Sequence, residues 1–241
     1  MCSRGEIKMI TDISKEIEEL EQKIENEPNN AELFNNLAKL YNEIKDYKKS
    51  HDFALTALEL EPDNAEYLCS YGNALGWLKN WEKAIEYVTQ AIEKDNSKSL
   101  YYHGRGDLYL HLYHHSNMEN PHNGDAWNCE GYIKAIKDYD KALELEPDNA
   151  VCLIRRGESY FNIGLSSQSV IDGDAIKKSL DNFNKALELE PNNHEAYFYR
   201  GLTYGNGMGE HEKALSDFNK ALEFDPNYGE VIDLLDEIKN N

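Results

Sequence analysis

The chain has 241 residues, with 25 lysines and arginines against 45 aspartates and glutamates, and therefore a net charge of −20. This surplus argues against sequence-independent binding of nucleic acids or anionic membranes, because no net basic field replaces the phosphate counterions. The 16 Tyr, 7 Phe and 3 Trp favour a folded protein over a disordered acidic chain.

The N-terminal segment has the pattern of an amphipathic helix. Apolar side chains recur at helical spacing over residues 6–26: Ile10, Ile13, Ile17, Leu20 and Ile24. We predict that residues 1–30 form a helix that caps the structure that follows. Charged residues interrupt positions 1–10, where a signal peptide needs an apolar core, and no run of about 18 apolar residues exists. We therefore expect a cytoplasmic protein without a membrane partner.

Regularly spaced prolines divide the rest of the chain. Five of the six follow a glutamate or aspartate at the end of a helix-periodic stretch: Pro28, Pro62, Pro147, Pro191 and Pro226. The first two are 34 residues apart and the last two are 35 apart, whereas the intervals between them contain insertions of 17 and 10 residues. Proline cannot continue a helix, and a nearby asparagine is predicted to cap the next one: Asn30, Asn64, Asn149 or Asn193.

Side chains at fixed positions of this 34-residue period match a known repeat. The eighth position of each unit is small: Ala38, Gly72, Gly106, Gly157 and Gly201. The twenty-seventh position is always alanine: Ala57, Ala91, Ala142, Ala186 and Ala221. Small residues let paired helices approach closely, while Tyr, Phe and Leu one turn away fill the remaining space. Residues 31–228 resemble the tetratricopeptide repeat family, whose unit is two antiparallel helices.

The resemblance implies an all-α fold, a right-handed superhelical α-solenoid of helix-turn-helix repeats with capping helices. Five units are predicted: 31–64, 65–98, 99–149 with an insertion, 150–193 with an insertion, and 194–228. A last capping helix is predicted over 229–241, with an apolar face formed by Val231, Ile232, Leu235 and Ile238. The polar opposite face is what a solenoid end needs for solubility.

The resemblance also implies a non-enzymatic scaffold that binds a peptide segment or a partner helix in a concave groove lined by the first helices. The residues predicted to contact the peptide are Asn73, Trp77, His103, Asp107, His111, Arg155, Glu158, Phe161, Phe198 and Tyr199. Aromatic groups in acidic surroundings favour a segment with Lys or Arg beside an apolar anchor. No cofactor is predicted, and the carboxylate clamp known in this family is not matched.

Two insertions, near residues 114–131 and 165–174, depart from the repeat pattern. Both are predicted in the turn between the two helices of a unit, on one edge of the array, where added loops often bind. The first insertion and its flank concentrate potential metal ligands: His111, His114, His115, His122 and Cys129. No paired spacing defines a coordination geometry, so a metal-binding or metal-sensing role stays an alternative. Self-association through this edge or an end helix is a second alternative.

Three arginines precede a glycine, at Arg105, Arg156 and Arg200. They could form a ladder for anions, but the simpler interpretation is that each stem packs between helices while its guanidinium group reaches an acidic residue of a neighbouring unit. No phosphate-binding glycine loop or metalloprotease helix occurs. The glycine-rich stretch at 205–210 is predicted to be a turn.

Overall fold

The structure of the chain is a computed structural model that describes residues 4–119, 129–166 and 171–240. Within these ranges the chain forms twelve α-helices and no strand, which confirms the all-α prediction. The helices are α1 Arg4–Asn26, α2 Ala31–Glu43, α3 Tyr47–Leu60, α4 Ala65–Trp77, α5 Trp81–Lys94, α6 Ser99–Glu119, α7 Glu130–Leu145, α8 Ala150–Leu165, α9 Gly173–Leu189, α10 His194–Leu202, α11 His211–Phe224 and α12 Gly229–Asn240. The chain divides inside α6 into two compact units that are larger than the 34-residue repeats. The first unit is Met1–Leu108, and the second unit is Tyr109–Asn241.

Asparagine side chains begin three of the helices, as predicted. The Asn64 carboxamide oxygen accepts from the backbone N–H of Glu66 at 3.0 Å. Asn149 and Asn193 do the same for backbone N–H groups of α8 and α10, each at 2.9 Å. Each bond satisfies a donor that the first helical turn leaves without a partner. The prediction is wrong for Asn30, whose side chain makes no capping bond and instead donates to the Glu27 carboxylate.

In the first unit, α1 packs its apolar stripe on the first repeat. Ile13, Ile17 and Leu20 are buried against Leu37 and Tyr41 of α2, and this confirms the predicted amphipathic helix. The side chain of Ile10 lies outside the part of the chain that the structure describes. Burial of these side chains removes α1 from water on one face and leaves its charged face exposed.

Close helix pairing in the first unit depends on glycine at the eighth repeat position. A Cβ placed on Gly72 of α4 would lie 2.7 Å from a methyl group of Val88 in α5. Val88 is fully buried, so it has little room to move away. The small-against-large alternation predicted from the repeat pattern is therefore present in this hairpin.

The second unit has the same arrangement with larger partners. A Cβ on Gly201 of α10 would lie 2.6 Å from the ring of Phe218 in α11. The core of this unit includes three fully buried aromatic side chains, Tyr132, Tyr139 and Phe183. Aromatic rings opposite glycine fill the volume that the missing side chain leaves.

The last helix, α12, packs on α11 with two of the predicted residues, Val231 and Leu235, and with Leu234, which the sequence pattern does not predict. Val231 is fully buried, and Leu234 and Leu235 pack partly buried against the cluster that contains Phe218. Ile232, predicted on the apolar face, is 38% exposed. On a helix, residues three and four positions after Val231 share its face, whereas the adjacent residue points about 100° away. The side chain of Ile238 lies outside the described residues.

Part of each insertion lengthens the helices instead of forming a loop. Helix α6 continues to Glu119 because residues 111–119 contain no glycine or proline, and α8 continues to Leu165. The prediction of loops starting near 114 and 165 is therefore wrong at these ends. Residues 120–128 and 167–170 lie outside the described ranges.

The glycine-rich stretch near 205 is also more helical than predicted. Thr203–Gly207 forms a π-helical turn directly after α10, and only at Gly209, with φ of 71°, does the chain turn toward α11. A π-turn closes its hydrogen bond one residue later than an α-turn. It therefore accommodates the extra residue of the 35-residue spacing between Pro191 and Pro226 without breaking the helix pair.

Candidate functional site

A pocket of about 490 Å³ lies on the first unit, along the first helices of successive hairpins. Its walls come from α2, α4 and the start of α6, with one residue from α3. The lining residues are Ala38, Lys39, Asn42, Glu43, Ser50, Glu66, Cys69, Ser70, Asn73, Ala74, Lys98, Leu100 and Tyr101. Volumes of this size are typical of sites that hold a small ligand or a few side chains of a peptide.

The charges that line the pocket balance each other. Lys39 Nζ lies 2.6 Å from the Glu66 carboxylate, which also accepts from Asn35 Nδ2 at 3.0 Å. The hydrogen bond from Lys39 lowers the pKa of Glu66, so this carboxylate is ionised at neutral pH. With Lys98 and Glu43, the pocket holds two cations and two anions. It therefore offers paired polar contacts without a strong field of either sign.

Two asparagines provide hydrogen-bonding groups that the chain itself uses incompletely. Asn42 Oδ1 is shielded from solvent and accepts no hydrogen bond within the described part of the chain. Asn73 Nδ2 has a long contact of 3.6 Å to the Cys69 sulfur, a weak acceptor. A buried carbonyl oxygen without a donor costs free energy, and a ligand N–H would remove that cost.

The pocket also has an apolar side and a thiol. Leu100 is 62% exposed at its rim, beside Ala74 and Tyr101. Burial raises the pKa of the Cys69 thiol to about 12. The thiol is therefore protonated at neutral pH and is not an activated nucleophile.

The residues predicted to bind peptide in the first unit separate into different places. Asn73 lines the pocket, whereas Trp77 does not. The Trp77 ring stacks on Tyr47 of α3 with centroids 4.9 Å apart and is 50% exposed, so it lies at the turn edge of the unit. His103 and Asp107 face each other on one turn of α6 at 3.7 Å and do not line the pocket.

In the second unit, four of the predicted residues form one cluster: Arg155 and Glu158 from α8, and Phe198 and Tyr199 from α10. Arg155 Nη1 lies 3.0 Å from Glu158 and 2.8 Å from Glu195. Phe198 contacts Tyr199 and Tyr228 by its ring, with centroids 5.2 and 5.3 Å apart. This acidic-aromatic cluster, consisting of Arg155, Glu158, Glu195, Phe198, Tyr199 and Tyr228, has one cation for two carboxylates.

Two other predicted residues of the second unit lie outside this cluster. Phe161 is only 7% exposed and belongs to the core, so its side chain presents little surface to a peptide. His111 is exposed on α6.

Burial dominates the titration of the acidic-aromatic cluster. It raises the pKa of Glu158, although Arg155 and the Tyr199 hydroxyl both act to lower it. Burial also raises the pKa of Tyr199, and the Glu158 charge adds to that effect. In a low-dielectric site, an approaching positive charge stabilises the ionised form of a carboxylate more strongly than it does in water.

We expect Glu158→Gln to change the pH dependence of stability. The folded chain keeps a proton on Glu158 at pH values where the unfolded chain has lost it. This group therefore stabilises the fold below its unfolded pKa, and the contribution is lost as pH rises through the folded pKa. The melting temperature of the variant, relative to wild type, should rise as pH increases from about 4 to 8. The exposed Glu144→Gln is the matched control, and a Glu158→Gln difference that is flat or falls would contradict the assignment.

The three arginines before glycines are all held by side chains of their own unit. Arg200 makes two hydrogen bonds of 2.8 Å to the Asp217 carboxylate and a third to Asn184. Arg156 pairs with Asp140 and Asn182. Arg105 donates to the Thr89 hydroxyl at 3.1 Å. Arg156 reaches an acidic residue of a neighbouring repeat, Asp140, as predicted. The carboxylate that Arg200 contacts lies in the same repeat, and the bond from Arg105 goes to a hydroxyl.

The metal alternative receives no geometric support from the described residues. Over residues 4–119, 129–166 and 171–240, no group of three His, Cys, Asp or Glu side chains is arranged to hold a metal ion. His111, His114, His115 and Cys129 fall in these ranges, whereas His122 lies outside them.

Sequence reasoning missed Asn42, Glu66 and Lys98 as parts of a site. Asn42 and Glu66 occupy the twelfth and second positions of their units, and both positions face the groove in the repeat pattern. The repeat pattern alone is therefore sufficient to predict both residues as groove-facing. Lys98 precedes α6, and only the approach of that helix to α4 brings it to the pocket.

Two parts of this chain match models of a known repeat family. Two models described as tetratricopeptide repeat match residues 31–64 and residues 182–216. The chain contains tetratricopeptide repeats. No curated protein matches the sequence. Proteins of this family are generally non-catalytic scaffolds for protein–protein interaction.

Solved structures with the same fold are distant in sequence. The tetratricopeptide repeat protein YrrB is 19% identical, with 90% of this chain and 97% of that chain covered and a TM-score of 0.58. The thermophilic repeat protein TTC0263 of Thermus thermophilus is also 19% identical, with coverage of 83% and 94% and a TM-score of 0.66. MamA of Desulfovibrio magneticus is 16% identical, with coverage of 83% and 97% and a TM-score of 0.59.

In the described ranges, each helix of this repeat protein is too short or too polar to cross a bilayer.

Proposed function

We propose that this repeat protein binds an extended segment of a partner protein on the first helices of its repeats. The observation that carries the proposal is the 490 Å³ pocket, whose walls come from three successive first helices. A single segment that lies along α2, α4 and α6 would contact all three. The structure called YrrB is described as a tetratricopeptide repeat protein with an unusual peptide-binding site, and this supports a peptide as the class of ligand.

The pocket chemistry suits a peptide backbone with an apolar side chain. A backbone N–H can donate to Asn42 Oδ1, and the Asn73 carboxamide can both donate to and accept from the next peptide unit. Leu100, with most of its surface exposed, offers an apolar contact beside these groups. Lys39 is already paired with Glu66, so the pocket does not require a charged ligand.

The acidic-aromatic cluster of the second unit suits a basic side chain of the partner. Arg155 neutralises one of the two carboxylates, and the Glu195 side chain keeps 29% of its surface exposed. A lysine or arginine beside the rings of Phe198 and Tyr228 gains both ion pairing and cation–π contact. This supports the basic segment with an apolar anchor that the sequence predicts.

We expect a photoreactive amino acid at position 100 to cross-link the bound segment, because the Leu100 side chain lies at the pocket rim. A peptide of the cross-linked sequence should then bind wild type, and Asn42→Ala with Asn73→Ala should weaken it at least 10-fold, or about 1.4 kcal/mol. Isothermal titration calorimetry measures both affinities.

The matched control is Asn26→Ala, which removes the same group from an exposed position on α1. Unchanged peptide affinity in the double Asn42/Asn73 variant, with cross-linking from position 100 no stronger than from Lys23 on α1, would place partner binding elsewhere. Circular dichroism of each variant verifies that the helices are retained.

A further inference from the structure

A second exposed surface lies on the first unit, at the turns that join α2 to α3 and α4 to α5. We define this basic edge by the residues Lys45, Tyr47, Lys48, Trp77, Leu78 and Lys79. None of them lines the pocket between the first helices. The basic edge is therefore separate from the site to which the proposed function assigns a peptide.

Stacked aromatic rings join the two turns. Trp77, at the end of α4, lies parallel to Tyr47, at the start of α3, with an interplanar angle of 6° and centroids 4.9 Å apart. Trp77 remains 50% exposed, and the next residue, Leu78, is 44% exposed. A large exposed aromatic side chain whose other face stacks on a second ring is typical of the contact residues in protein interfaces.

The charge at this edge is opposite to that of the chain. Residues 45–49 and 79–83 contain five lysines against one aspartate and one glutamate, a local net charge of +3 in a chain of −20. Lys45, Lys48 and Lys79 are exposed, and no ion pair holds them within the described residues. Their cationic groups are available to a ligand.

The backbone places two of these lysines where glycine is the usual residue. Lys45 and Lys79 both have φ of 61°, in the left-handed region that favours residues without a Cβ. The corresponding turn before α11 has Gly209, with φ of 71°. Lysine at such a position costs folding free energy and adds no buried contact, so its presence in two adjacent turns favours a role for the side chain itself.

We propose that the basic edge binds an acidic protein segment that carries an aromatic or aliphatic side chain. The apolar side chain packs on Trp77 and Leu78, while flanking carboxylates pair with Lys45, Lys48 and Lys79. Opposite charge favours encounter, and burial of the indole holds the complex. The partner chemistry differs from that expected at the acidic-aromatic cluster, where the partner is basic.

The test uses the full chain and two synthetic peptides with blocked ends, each with a central Leu-Phe pair flanked by three glutamates or three lysines on each side. NMR of the indole N–H groups of the ¹⁵N-labelled protein reports contact at Trp77, assigned with Trp77→Phe. The glutamate peptide should shift the Trp77 signal to saturation. The lysine peptide should bind at least 10-fold more weakly than the glutamate peptide. Added salt should lower the affinity of the protein for the glutamate peptide.

Two variants test the lysines. Lys45→Glu with Lys79→Glu should reduce affinity for the glutamate peptide at least 10-fold, while Lys137→Glu with Lys177→Glu, the same charge change at exposed positions of the second unit, should not. Lys45→Gly with Lys79→Gly should also weaken binding but keep or raise the melting temperature, because glycine relieves the left-handed backbone. This pair separates loss of binding from loss of folding.

Three results would overturn the proposal. One is equal affinity for both peptides, and another is equal loss of affinity in the two charge-reversal variants. The third is self-association of the wild-type chain, detected by light scattering and abolished by Lys45→Glu with Lys79→Glu, which would make a second copy the occupant of the basic edge. A change in pocket binding by Asn42→Ala with Asn73→Ala does not bear on these outcomes, since the two surfaces share no residue.

Discussion

Replacing Asp217 with alanine is expected to lower the free energy of unfolding by about 3 kcal/mol. Its side chain is only 7% exposed and accepts two hydrogen bonds from Arg200, each at 2.8 Å. The substitution leaves a partly buried guanidinium without its carboxylate, which costs more than the pair contributes. Asn184 still accepts from Arg200, which keeps the loss at the lower end of the range for buried pairs. Urea unfolding followed by circular dichroism measures the change.

The control for Asp217→Ala is Lys220→Ala on the same helix. Lys220 pairs with Glu223 at 2.7 Å, but both side chains are about half exposed, and water and salt screen such a pair. We expect its unfolding curve to match wild type. Similar losses in the two variants would mean that the Arg200–Asp217 pair contributes no more than a surface ion pair.

Replacing Gly157 with leucine is expected to destabilise the second unit by about 1–3 kcal/mol or more. The first added atom, the Cβ, would lie 2.7 Å from the Phe183 ring and 3.1 Å from Asn182 Cβ. Phe183 is fully buried and cannot move aside without disturbing its neighbours. Thermal unfolding should show a lower melting temperature for Gly157→Leu.

The same substitution at Gly173 is the matched control. Gly173 begins α9, and a Cβ placed on it meets no atom within 4 Å. Leucine there should leave the melting temperature unchanged or slightly higher, since leucine is the better helix former. If Gly157→Leu melts like wild type, α8 and α9 do not pack at the distance that the repeat register requires.

The two surfaces of the first unit differ in chemistry, so the partners proposed for them differ as well. The pocket is neutral and rich in amide groups, which suits a peptide backbone. The basic edge is cationic and aromatic, which suits an acidic segment. A scaffold with both surfaces could hold two partners at once, and the peptide and cross-linking experiments measure each interaction separately.

Local sequence determined the helices and their pairing. Proline and asparagine mark the helix ends because one cannot continue a helix and the other caps the next, as Asn64 and Asn149 do. Glycine at the eighth position predicts close packing because every residue at that position meets the same partner helix, as Gly72 and Gly201 show. Helix ends and close helix pairing depend on contacts within one hairpin. The periodic sequence pattern is therefore sufficient to predict them.

Only the tertiary structure decided which side chains a ligand can reach. Trp77 has a groove-facing position in the period, yet the ring stacks on Tyr47 at the turn edge. Phe161 has an equivalent kind of position and is buried. The sequence pattern predicts Ile232 in the core, yet it is 38% exposed, while Leu234 is partly buried. Residue spacing specifies the direction in which a side chain leaves its helix. The exposure of that side chain depends on how far the neighbouring helices extend and on which side chains lie opposite. Only the folded chain determines these two properties.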